Sequence, residues 1–430
     1  MLDCGAGKAH RWTNAPNQPI LLPSTTKAGK FDPQTLAQET AQDWGPKWGA
    51  GNTPLEAEAH AAHNELRALA QALKHPNLEE LMNEHTIKAA ACSFKASTSL
   101  GVDNMPFRHI ADSGSPALKE LALLLRTAAT EMALPHQTLL NIMVMLPKKL
   151  GGHRTIALCP TYTRLLLALL KGEFRQWDAE ASKIPGVTDT AAPGVHAQLV
   201  TIQRAAQIEA AHLLGETTIL ILWDVKQFYA SIKIPQLVKD IKDTQMPYLA
   251  STLAIQGHMA PRALQVQEAL STTIGHLSNS ILEGCTSSTS FARATLKRPV
   301  ALGVSEYVTI GEHVDDVSQL TISQHSIHAV QTATDSAENF IKAVEAKQFT
   351  VAEKSVILSN NKKVAHSVSK ALFDRGVRTP QGGRFPIVTQ AEDLGIETAR
   401  NVPKTAGYSS QQEARERHEK SRPSKHPHNN

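Results

Sequence analysis

Seven residues, Thr217–Trp223 (TTILILW), constrain this chain most: a β-prone, nearly unbroken apolar run that stops at the carboxylate of Asp224. Short apolar runs bounded by polar residues read as strands, so Asp224 is expected at the C-terminal end of one. Around it the periodicity changes type repeatedly. Helical spacing or composition predicts helices over 54–94, 116–132, 162–179, 195–214 and 327–346, and 261–277 also reads as helical by composition. Pro235 is placed to open a further helix. In LNIMVMLPKKLGGHRTIAL (140–158) two apolar runs flank Gly151 and Gly152, a hairpin signal. Residues 307–310 and 317–321 predict strands on either side of 311–316, and 349–358 is strand-like. The helices at 195–214 and 327–346 are expected to cover one face of the resulting sheet. The polar, Pro- and Gly-rich residues 1–53 read as an irregular arm, and no core element is expected after Gly395. The fold class is α+β.

Composition narrows the setting. A hydrophobic fraction of 41% in 430 residues is enough for a sizeable core and too high for a disordered chain. The formal net charge is +4, from 44 Lys+Arg and 40 Asp+Glu. Residues 400–430 hold seven Lys/Arg and three Glu, so the tail carries the whole excess and the body is neutral. A chain basic throughout is excluded. Cys4, Cys92, Cys159 and Cys285 form no CxxC pair, which argues against a zinc site or a disulfide framework. No apolar run reaches the ~18–20 residues of a membrane span. These features imply an intracellular protein of nucleus or cytoplasm with no membrane partner.

The acidic pair in His313-Val314-Asp315-Asp316 falls in the expected turn between two strands. Asp is at home in solvated turns, and that is one reading. The other joins the pair to Asp224, since a strand end and a neighbouring hairpin tip can bring carboxylates together. Such carboxylates hold two Mg²⁺ ions ~3.5–4 Å apart for in-line phosphoryl transfer.

The order of motifs resembles a reverse transcriptase of the non-LTR retrotransposon and group II intron type. ILWDVKQFYASI (221–232) resembles the first palm motif, LEGCTSSTSFARATL (282–296) the second and HVDD (313–316) the third. Residues 349–357, with Lys354 among them, and EDLGI (392–396) are similar to the fourth and fifth. FKASTSLGVD (94–103) and the Gly-Gly hairpin resemble motifs of the fingers. His313 stands where the family usually has an aromatic residue, and Glu283 where it usually has Gln.

The resemblance implies a right-hand architecture: helical fingers over 54–194, an antiparallel palm sheet covered by helices over 195–398, a basic disordered tail at 399–430, and a thumb truncated or absent. It implies an RNA-directed DNA polymerase using an RNA template, a DNA primer and dNTPs. Asp224, Asp315 and Asp316 would be catalytic and would bind Mg²⁺, with Mn²⁺ as a substitute. Lys148 and Arg154 would reach the triphosphate, Gly284 would let backbone approach the substrates, and Lys354 would assist pyrophosphate departure. Tyr229, five residues after Asp224, would block a ribose 2′-OH. The alternative is a degenerate or domesticated copy that binds nucleic acid without polymerising.

Overall fold

The computed structural model describes residues 32–73, 75–147, 153–393 and 396–399. Its strands are β1 (Asn141–Pro147), β2 (His153–Leu158), β3 (Val187–Asp189), β4 (Thr217–Trp223), β5 (Arg262–Val266), β6 (Ala269–Leu270), β7 (Val308–His313), β8 (Asp316–Ser323), β9 (Val356–Ser359), β10 (Gln390–Asp393) and β11 (Ile396–Ala399). With many helices between them, the class is mixed α and β. The chain divides into two units. The first takes the described residues up to Ile184, then Val225–Ala301 and Ala343–Thr350; the second takes Pro185–Asp224, Leu302–Lys342 and the described residues from Val351.

In the first unit the expected hairpin forms: β1 and β2 pair antiparallel from Ile142↔Leu158 to Pro147↔His153. The sheet order is β2-β1-β5-β6. The helix Tyr248–Met259 is buried on nearly every side, from Leu249 to His258, so it forms part of the core. Two expectations fail here. Pro33–Trp44 is a helix, not part of an irregular arm: Asp32 caps it by accepting from the backbone N–H groups of Gln34 and Thr35, and Pro33 opens it. Trp48, which follows it, is fully buried. Residues 261–277 are not helical either, because β5 lies parallel to β1, with Asn141 opposite Arg262. Ala, Leu and Gln favour a helix intrinsically, yet pairing with an existing strand overrides that weak preference.

The second unit is built on the sheet β3-β7-β8-β4-β9. β4 spans the expected residues and pairs antiparallel with β8 and β9, β7 pairs antiparallel with β8, and only β3 runs parallel to its neighbour β7. The two helices expected on one face lie on opposite faces. Leu220, Leu320 and Leu358 share a face with Ile208 of the helix Ala197–Leu213. On the other face the Trp223 ring lies 6.0 Å from Phe340 of the helix Ser326–Ala346, and its indole N–H donates to Gln319. Gln319 in turn donates to Ser336 at 2.7 Å. The reason is in β4 itself: nearly every one of its residues is buried, so both faces need cover. The strand-like stretch 349–358 also shortens to Val356–Ser359, and a turn at Ala352–Ser355 precedes it. Beyond Gly395, β11 pairs antiparallel with β10, a hairpin where no element was expected.

Candidate active site

Asp224 leaves β4 held by its backbone on both sides. Its N–H donates to Ser355 Oγ at 3.1 Å, and its carbonyl accepts from Ala352 N–H at 2.7 Å. The β7–β8 hairpin closes through a two-residue turn, Val314 and Asp315, because His313 pairs directly with Asp316. Val314 carries a φ of +61°. A positive φ at the first central position is what a type II′ turn requires, and Gly is favoured there. A β-branched residue in this place stores strain of about 1–3 kcal/mol, and such strain clusters at functional turns.

Register then brings the carboxylates together. Trp223 faces Val317 in the last β4–β8 pair, so one further step sets Asp224 opposite Asp316. Residues directly opposite in an antiparallel pair have Cβ atoms about 4.5–5.5 Å apart, and like charges there repel. The Asp316 carboxyl is pushed up to about 6, first by the protein crowded around it, then by Asp315 and Asp224; Lys354 and His313 pull the other way. Asp316 nevertheless keeps contact with solvent, which screens the repulsion. Lys354 Nζ lies 2.6 Å from Asp224 Oδ1, with the lysine 71% exposed and the aspartate 15%. The turn ahead of β9, rather than a strand, carries Lys354 to this contact. His313 is half-buried, and its Nδ1 lies 2.9 Å from Thr190 Oγ1. Sequence reasoning missed Ser355 and Thr190, whose small polar side chains carry no signal until the strands are placed.

The four predicted residues of the second unit, Asp224, Asp315, Asp316 and Lys354, therefore gather at one end of its sheet. The three aspartates offer oxygen donors only, which suits a hard cation such as Mg²⁺, and the mutual repulsion at Asp316 is what a cation would relieve. Among the described residues, no three His, Cys, Asp or Glu side chains are grouped to hold a metal ion as they stand. Asp224 is turned onto Lys354 instead.

The other predicted residues belong to the first unit. Arg154 is exposed on β2, and its Nε lies 3.7 Å from Glu283 Oε2. The unexpected acid at 283 is thus balanced by a neighbouring base. Gly284 has φ +99°, and a Cβ there would press to 3.2 Å against the Ala157 carbonyl and the Ile156 side chain. Its missing side chain is used by β2. Tyr229 is half-buried in the short helix Phe228–Ser231, with its ring edge-on to Phe228 at 5.7 Å. Lys148 lies outside the described residues, as does Gly395. Among the described residues no helix is long and apolar enough to cross a membrane. Compared with models of known protein families and with curated proteins, the chain matches none.

The repulsion at Asp316 has a measurable consequence. A carboxyl raised in the folded state favours folding when protonated, so its contribution is lost as pH rises from about 4 through about 6. Asp316→Asn removes the ionised form. Urea denaturation should find the variant more stable than wild type by about 0.5–1 kcal/mol at pH 7.5, a figure reduced for solvent screening, and equal to it near pH 4.

Proposed function

We propose that the chain is the polymerase core of a reverse transcriptase, an RNA-directed DNA polymerase that extends a primer 3′-hydroxyl with dNTPs. What carries this reading is the β4–β8 register, ending at Trp223 opposite Val317, together with the rise of the Asp316 carboxyl beside Asp315 and Asp224. In this reading 54–194 are fingers and 195–398 the palm of a right-hand polymerase. Asp224, Asp315 and Asp316 would hold Mg²⁺, for which Mn²⁺ could substitute. When bound, the metal supplies positive charge that favours deprotonation of the 3′-hydroxyl and neutralises the departing pyrophosphate.

The chain's own residues do the rest. The backbone clamp from Ala352 and Ser355 fixes where Asp224 presents its carboxylate. Lys354 reaches Asp224 with its ammonium, which places a cation or proton donor for pyrophosphate beside the acids. Lys148, Arg154, Tyr229 and Gly284 are assigned to the dNTP on the resemblance alone. For Gly284, the contact with β2 is a structural account that competes with this role.

Primer extension on an RNA template, with wild type beside Asp224→Asn, tests the proposal. Extension by wild type and none by the variant supports it. A wild-type chain that extends no better than the variant under Mg²⁺ or Mn²⁺ removes it. The steric role of Tyr229 is tested separately. Tyr229→Val should raise ribonucleotide incorporation relative to deoxynucleotide by about ten- to a hundredfold, the worth of one lost steric contact of ~1.4–2.8 kcal/mol. An unchanged ratio would assign Tyr229 to packing against Phe228.

A further inference from the structure

Thr190 follows β3, and its hydroxyl reaches the hairpin that carries Asp315 and Asp316. β3 lies parallel to β7 with Asp189 opposite Glu312, so Thr190 arrives beside the last residues of β7. Asp189 Oδ1 accepts the Ala191 N–H at 2.8 Å, which fixes the backbone on both sides of Thr190. The Thr190 N–H donates to the Glu312 carbonyl at 2.7 Å, and its Oγ1 donates to the same carbonyl at 3.0 Å. Oγ1 also lies 2.9 Å from His313 Nδ1. A hydroxyl has one proton to give. Given to Nδ1, it would leave Oγ1 and the Glu312 carbonyl facing each other as bare acceptors. Thr190 is only 5% exposed, and a buried polar group left unsatisfied costs about 1–3 kcal/mol. The hydrogen-bond network therefore places the His313 ring proton on Nδ1, which donates to Oγ1, and leaves a lone pair on Nε2.

Ring geometry directs that lone pair. The two nitrogens of an imidazole diverge, so with Nδ1 turned to Thr190, Nε2 is turned away from the β3 side of β7. The strand on the other side of β7 is β8, whose Asp316 pairs directly with His313. Further along the same hairpin the backbone is held without Thr190. Gly311 pairs with Ser318, Ser318 Oγ accepts from the buried Arg204 guanidinium, and a Cβ at Gly311 would overlap that guanidinium. The hairpin is thus braced by its strands and by Arg204, and what the Thr190 hydroxyl adds is the setting of the ring.

We propose that Thr190 is a positioning residue for the acidic end of this sheet: it holds His313 in the Nδ1–H tautomer, so that Nε2 presents an acceptor on the side of Asp316. The use of that acceptor rests on the polymerase reading. Mg²⁺ usually keeps several of its waters, and each water is a donor. Nε2 would accept from one of them, orienting the shell from outside the carboxylates. A phenyl ring at 313 offers no such acceptor.

The tautomer is read first, on the full chain labelled with ¹⁵N-histidine, by long-range ¹H–¹⁵N correlation. The measurement needs neither metal nor activity, and is made at pH about 8, above the ordinary histidine value of about 6.5. The His313 signals, assigned by their loss in His313→Gln or His313→Phe, should show the Nδ1–H pattern in wild type and in Thr190→Ser. Thr190→Val should gain the Nε2–H pattern that is usual for a free imidazole. In primer extension, Thr190→Val and His313→Phe should each lower kcat about ten- to a hundredfold with the KM for dNTP nearly unchanged. The two together should cost no more than either alone, and Thr190→Ser should restore the rate. An Nε2–H pattern in wild type overturns the proposal. Losses that multiply in the double variant overturn the action of Thr190 through His313. A wild-type chain with the Nδ1–H pattern that extends no primer removes the polymerase reading and, with it, the use of Nε2.

Discussion

Asp224→Asn is expected to lower Mg²⁺-dependent primer extension by about a thousandfold or more, while the protein stays folded. Asn has nearly the same volume, and the hydrogen bonds that fix residue 224 run through its backbone to Ser355 and Ala352. What disappears is one carboxylate oxygen's charge at the position where a metal would be held. Removing a single neutral donor to a developing charge already costs about 10²–10³ in rate, and a metal-bound charge is worth several kcal/mol. Asp316→Asn should give a loss of the same order, although it raises stability at neutral pH. Activity and stability moving in opposite directions at one residue is the signature of a site, not of a fold support. If neither wild type nor variants extend a primer yet all bind RNA with steep salt dependence, the non-polymerising alternative stands in its place.

β4 was legible because its apolar run matches a strand in length and ends at an acid, and local chemistry sufficed to place it. The helix Ser326–Ala346 was legible for the same kind of reason, through its periodicity. What could not be read was any property set by pairing. Asp316 was expected beside Asp224 and Asp315, but how closely was not legible: the β4–β8 register, ending at Trp223↔Val317, decides it, and register depends on where two distant segments meet. Arg262–Val266 became a strand because β1 offered an edge, a fact absent from residues 261–277 themselves. Lys354 read as a strand residue, yet a turn carries it to Asp224. Asp316 responds to both Asp224 and Asp315, so the three acids act on one another. The resemblance gave no hint that Glu283 would be met by Arg154.

A second large effect is expected at Lys347, seven residues before Lys354, and it should fall on stability alone. Lys347 pairs with Asp240 of the helix Ile234–Asp243, with side chains only 10% and 5% exposed. Burial pushes the Asp240 carboxyl up, and Lys347 and Gln236 pull it back only in part. Its second oxygen has no hydrogen-bond partner. Lys347→Met would leave that carboxylate buried and uncompensated, and should cost about 3–5 kcal/mol in urea denaturation at pH 7. Because the folded-state carboxyl is raised, acid favours its protonated form, so the deficit should shrink as pH falls toward about 4. Lys347→Met with Asp240→Leu should recover most of the loss, since apolar replacement of a buried pair is often neutral or better. The Lys354–Asp224 pair has similar chemistry but a lysine standing in solvent. Exposed pairs contribute about 1 kcal/mol at most, so Lys354→Met should leave denaturation nearly unchanged. A variant of Lys347 as stable as wild type would mean that Asp240 is already protonated at neutral pH, and a dependence of folding on Lys354 would move that residue from the chemistry to the scaffold.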